Sequence, residues 1–101
     1  MSKLKKAIKD YAARQGRRCH HCGRYIREKK YSNVSHRYGK NSHPDKKYDP
    51  AHFDLLCSNL DVYGTSNPSC HHIRDFGTNK QWEAVRDSQA PMNNKLKRRY
   101  P

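Results

Sequence analysis

Aliphatic bulk is what this chain has least of: Leu, Ile, Val and Phe together supply 13 of its 101 residues. A fraction below about 20% with a high net charge ordinarily marks a disordered chain. Each fully buried aliphatic or Phe side chain returns about 1.5–3 kcal/mol. Ordering the backbone costs about 1–2 kcal/mol per residue, so so few side chains do not fold the chain by themselves. Acidic residues are scarce too, nine against 22 Lys and Arg, which leaves a net charge of +13. No apolar run approaches the roughly 20 residues that cross a bilayer. These shortages exclude an ordinary apolar-cored globule, a membrane-spanning protein and a large multi-site enzyme. The segment MSKLKKAIKDYAARQG also lacks the apolar core of a secretion signal. The expectation is therefore a protein that is not secreted and works in the cytoplasm, that of a host cell if it is phage-encoded.

Soft metal ligands are abundant by contrast, with four Cys and seven His. Small domains without a core are held by disulfides or by a metal, and four cysteines in a non-exported chain favour the metal. Cys19-His20-His21-Cys22 is a C-x2-C pair on one tight turn, which Gly23 allows to reverse. Cys57 and Cys70 form a second pair with twelve residues between them. Four thiolates suit tetrahedral Zn²⁺ in a closed structural site. Two alternatives stay open: one of Cys57 and Cys70 is a free thiol, with His20, His21 or His71 completing the site, or the four cysteines form two disulfides.

Three regions follow from the pattern. Residues 1–16 read as a basic amphipathic helix, with Leu4, Ile8, Tyr11 and Ala12 on one face and Gly16 as its stop. Residues 17–87 read as the zinc-bound domain. In it are one or two short strands between Tyr25 and Arg37, a polar loop over 39–51, a strand over His52–Cys57 and an inserted loop over 58–69. Helices follow over Cys70–Phe76 and Asn79–Asp87. Residues 88–101 read as a basic, flexible tail. His20 and His21, inside the first cysteine turn, are expected to face solvent or phosphate, and most of the seven Tyr to supply missing core area.

The order of the remaining motifs is informative. A cysteine knuckle precedes the strand-end His36; His52 stands just before Asp54-Leu-Leu-Cys57; and Cys70-His71 opens a helix after Asn67-Pro-Ser. This constellation, over about residues 19–76, resembles the HNH endonuclease family in a small, phage-type form. The resemblance implies an α+β fold: a zinc-stabilised ββα-metal, treble-clef-like domain, here with flanking helices. It also implies hydrolysis of phosphodiester bonds in DNA, as endonuclease or nickase, with structural Zn²⁺ and a catalytic Mg²⁺ or Mn²⁺. Carried over by position, His36 is the general base, His52 orients the loop and the base, and His71 binds the catalytic ion. An imidazole titrating near neutrality suits the first role. The chain departs from the family at Ser35, where many members carry a metal-binding Asp; Asp54 and Asp75 are substitutes off the family position.

The positive charge predicts a nucleic-acid partner. Arg24, Arg37, Lys40, Lys46, Lys47 and Arg74 are the candidate phosphate contacts, with duplex or branched DNA as the expected substrate and RNA as another. A non-catalytic zinc module of the same ancestry, binding nucleic acid or a host protein, is the alternative.

Overall fold

A computed structural model describes residues 2–92 and 96–100. Helix α1 spans Lys3–Arg14, as its periodicity predicts. The Ser2 hydroxyl caps it by accepting from Lys5 N–H (3.1 Å), and Ile8, Tyr11 and Ala12 form its buried face. The chain then makes the cysteine turn, closed by Cys19 N–H donating to Arg24 O (2.8 Å) and Ile26 N–H to Arg17 O (2.7 Å).

Two strands of only three residues follow, β1 (Val34–His36) and β2 (Phe53–Leu55), each entered through a 3₁₀ turn, Tyr31–Asn33 and Pro50–His52 respectively. They pair antiparallel with Val34 opposite Leu55, Ser35 opposite Asp54 and His36 opposite Phe53. The expected strand from His52 to Cys57 is thus shorter at both ends. Pro50 and Asp49 turn the chain before it, with the Asp49 side chain accepting from Ala51 N–H. Helix α1 lies against both 3₁₀ turns, and the Tyr11 hydroxyl reaches across to donate to Phe53 O (3.2 Å).

Helix α2 (Cys70–Phe76) is capped by Ser69, and α3 (Asn79–Ala84) by a reciprocal Thr78–Gln81 capping box. The second helix ends at Ala84 rather than Asp87, because Asp87 N–H turns away to donate to His21 O (3.1 Å). The protein is therefore a small α+β arrangement of helices and one two-stranded sheet around four clustered cysteines. Its core is thin but continuous, running through Ile8, Ile26, Val34, Phe53, Leu55, Leu56, Ile73 and Trp82.

Three expectations are corrected. The C-terminal segment is not a free extension: Leu96 is buried, the Trp82 indole N–H donates to Leu96 O (3.0 Å), and Arg74 Nη2 donates to Lys97 O (3.0 Å). The part of that expectation concerning residues 93–95 and 101 lies outside the described residues. Tyrosine contributes little core, since only Tyr11 is buried. The others are half-buried or exposed, and four of them carry cations, as with Lys46 over Tyr38 (4.2 Å) and Lys3 over Tyr48 (4.8 Å). His20 and His21, finally, are turned inward and buried.

Candidate functional site

The two cysteine pairs converge. The sulfurs of Cys19, Cys22, Cys57 and Cys70 all lie within 4.8 Å of one another, and Cys22 Sγ stands 3.7 Å from Cys57 Sγ. A tetrahedron with metal–sulfur bonds of about 2.3 Å has edges of about 3.8 Å, so this spacing suits a metal ion such as zinc and no disulfide bond. The first pair is held by its turn, which needs Gly23: its φ is +75°, and a Cβ there would stand 2.5 Å from Asp87 Oδ2. The second pair meets although twelve residues intervene. Ser69 donates to Asn59 Oδ1 (2.9 Å) and pinches the loop at its neck, and Val62 plugs the loop into the core. Cys70 N–H, opening α2, donates to Cys57 Sγ (3.2 Å) and supports negative charge there.

Four sulfurs so close cannot share ionisation without a cation. Hydrogen bonds from Cys22, Cys57 and Cys70 hold Cys19 far below the usual thiol range. Acting as donors to Cys19 pushes Cys57 and Cys70 far up. A dication removes that conflict by stabilising every thiolate at once. None of the histidines considered as substitutes joins the cluster. His20 Nδ1 accepts from Leu55 N–H (3.3 Å). His21 Nε2 donates to Trp82 O (2.6 Å), with its ring stacked on the indole at 3.6 Å. Burial lowers the pKa of both imidazoles. Their inward orientation follows from the tightness of the turn, which leaves the intervening residues facing β2 on one side and α3 on the other.

The second constellation lies where β1 meets α2. His36, His71, Asp75 and Lys40 line one cavity of about 250 Å³, floored by Ile8 and Val34. His36 Nε2 donates to Lys47 O (3.1 Å), which leaves Nδ1 as the lone-pair nitrogen. Its ring packs edge-on against Phe53 at 4.8 Å, and burial lowers its pKa, so the ring stays neutral at pH 7. His71 Nδ1 donates to Ser32 O (2.5 Å), which turns Nε2 toward Asp75 Oδ2 at 3.5 Å. A bare imidazole nitrogen and a carboxylate oxygen facing each other need a proton or a cation between them. His71 and Asp75 thus present one imidazole nitrogen and one carboxylate oxygen side by side in this cavity. Among the described residues, however, the four cysteines are the one group of three or more ligands close enough to hold a metal by themselves.

The other sequence candidates separate. His52 does not line this cavity. Its ring stands edge-on to Tyr38 (5.1 Å) and near Asp49 Oδ2 (3.7 Å), and its carbonyl accepts from Arg37 N–H (2.9 Å), so it helps to close the strand pair. Arg74 is corrected outright as a phosphate contact. It is buried, and its Nη1 donates to Asp54 Oδ2 (2.8 Å) and to Ser35 Oγ (3.2 Å). Arg37 grips the same carboxylate with Nε (3.1 Å to each oxygen) and Nη2 (3.0 Å). Asp54, fully buried between two guanidiniums, has no oxygen to spare for a metal, which leaves Asp75 as the carboxylate of the cavity. Lys40 stands at the rim; Lys46 and Lys47 sit over the rings of Tyr38 and Tyr48, and Arg24 borders the open side of Cys22 and Cys57. The Asp54–Arg37–Arg74 network had no local signal, because Arg37 and Arg74 stand 17 and 20 residues from Asp54 and reach it only through the strand pair and the packing of α2 beside it.

No helix among the described residues is long and apolar enough to cross a membrane. Neither a protein-family model, nor a curated protein, nor a solved structure matches the chain.

Proposed function

We propose that this protein is a metal-dependent phosphodiester hydrolase of HNH type, a small endonuclease or nickase acting on DNA, built on a structural zinc site of Cys19, Cys22, Cys57 and Cys70. The observation that carries the reading is the meeting of His36 and His71 with Asp75 in one cavity, from a strand end and a helix start 35 positions apart. His36 is a base in waiting: neutral, fixed in one tautomer by the Lys47 carbonyl, with Nδ1 free to take a proton from water. His71 and Asp75 would hold the divalent ion, Mg²⁺ or Mn²⁺, which when bound supplies charge stabilisation to the phosphoryl and leaving oxygens. Lys40 at the rim adds positive charge beside the same phosphate. His52 and the Arg37–Asp54–Arg74 network position the strand pair and take no part in the reaction. With +13 charges overall, DNA is the favoured partner and backbone contacts are expected to weaken steeply with salt.

One observation favours a second reading, a zinc module that binds nucleic acid or a host protein without cutting. The residue before His36 is Ser35, buried and taken up by Arg74, so no carboxylate stands beside the base on β1. Supercoiled-plasmid nicking with Mg²⁺ and with Mn²⁺ separates the two. The nuclease reading expects nicking by the wild type and its loss in His36→Ala with DNA binding retained. Binding without nicking in either metal would establish the second reading.

A further inference from the structure

A groove of about 400 Å³ runs along α1, with Ile8, Ala12 and Ala13 as its apolar floor. Lys5, Lys9 and Lys30 stand on its rim, while Lys29 is tied back to Gln15 O at 2.5 Å. Tyr31, 49% exposed, forms its end wall. Two of these residues, Ile8 and Tyr31, also line the cavity of His36 and His71, so the groove adjoins that cavity. On the far side, His71, Asp75 and Ser32 are shared with a third hollow, of about 380 Å³. It is flanked by Phe76 and Leu60, which are 78% and 66% exposed. Three adjoining hollows thus form one track, with the histidines in the middle, an exposed aromatic ring at either side and lysines along one arm.

A duplex presents its charge as two backbones with the bases stacked away, and an apolar floor between aromatic rings offers it nothing. A single strand presents what this track is built to take: flat, unpaired bases for Tyr31 and Phe76, and phosphates for the lysines. We propose that the track binds single-stranded nucleic acid, with unpaired bases resting on Tyr31 and Phe76 and the intervening phosphate laid across His36 and His71. This deepens the nuclease reading and rests on it for the role of the central phosphate, while the binding itself does not require cleavage.

The test uses the zinc-loaded full chain and a fluorescent 12-nucleotide oligo(dT), read by anisotropy without Mg²⁺ or Mn²⁺, beside a 12-base-pair duplex. The single strand is expected to bind more tightly than the duplex. Tyr31→Ala with Phe76→Ala is expected to weaken oligo(dT) binding about tenfold or more, in keeping with the loss of two stacked bases, with zinc content unchanged. Tyr31→Phe, which keeps the ring, is expected to retain affinity. Duplex binding as tight as oligo(dT), or full affinity in the doubly substituted chain, would overturn the proposal. A chain that binds oligo(dT) in this way but, with Mg²⁺ or Mn²⁺ added, cleaves neither plasmid nor oligo(dT) retains the track and loses the nuclease reading. One that nicks plasmid while the double substitution changes nothing does the reverse.

Discussion

The cysteine cluster and the histidine cavity are built from the same kinds of ligand, yet they differ in closure. Around the cysteines, three of four side chains are buried, the loop between the second pair is pinched shut, and a helix-opening N–H supports a sulfur. Around the histidines, each ring is fixed by one backbone carbonyl, the other nitrogen of His71 faces Asp75, and the cavity shares lining residues with two neighbouring hollows. A closed ligand shell stores stability, whereas an open one leaves room for substrate. On the proposed reading, this chain gives the first task to thiolates and the second to imidazoles.

The sharpest way to break the comparison is to remove the metal from the closed site. A structural zinc contributes about 10–16 kcal/mol, comparable with the whole stability of a small domain, about 5–15 kcal/mol. Strong chelation, or Cys57→Ser, is therefore expected to unfold the entire chain, as followed by far-UV circular dichroism. Persistence of the native spectrum would show that the thin core suffices.

The next effect lies between the two regions. Asp54→Ala leaves the Arg37 and Arg74 guanidiniums facing each other without their carboxylate, Arg74 fully inside. Breaking one side of a buried ion pair costs about 3–5 kcal/mol, and the urea midpoint of the zinc-loaded protein should fall accordingly. A smaller loss is expected from Gly23→Ala, about 1–2 kcal/mol for the left-handed backbone, with displacement of Asp87 in addition. Such a loss should appear with the metal bound and vanish without it, because the turn exists only in the folded state.

The mildest test is pH. His36 has its pKa lowered by burial, so its unfolded form takes up a proton at higher pH than its folded form. As pH falls below about 6.5, the free imidazole value, the unfolded state gains protons that the native state resists, and stability drops. Cleavage that depends on neutral His36 should by the same shift hold down to pH values under 6.5 and fail only below them. Loss of cleavage already centred above that value would remove His36 as the base.

Much of the closed site was legible in the sequence, because two cysteines on one turn are a local motif and their spacing carries the geometry. The reunion of Cys57 with Cys70 was less so, since the pinch at Asn59 and Ser69 and the plug at Val62 are contacts across a loop. The histidines divided in the same way. His36 and His71 were readable from their places at a strand end and a helix start. The inward turn of His20 and His21 depends on Leu55 and Trp82, which no neighbouring residue announces. Charge misled in one respect: Arg74 looked like a phosphate contact until β2 set Asp54 beside it.

The sequence by itself determined which cysteines could supply a ligand-held centre, that a helix fills most of the first sixteen residues, where α2 begins and that the chain is strongly basic. Those properties follow from composition and from motifs a few residues long. Only the tertiary structure decided which acid is spent on arginines and which faces the cavity, which histidines are structural, and how the segment around Leu96 docks. Each of those depends on side chains brought together across many positions, where strand register and burial assign the partner and composition has no say.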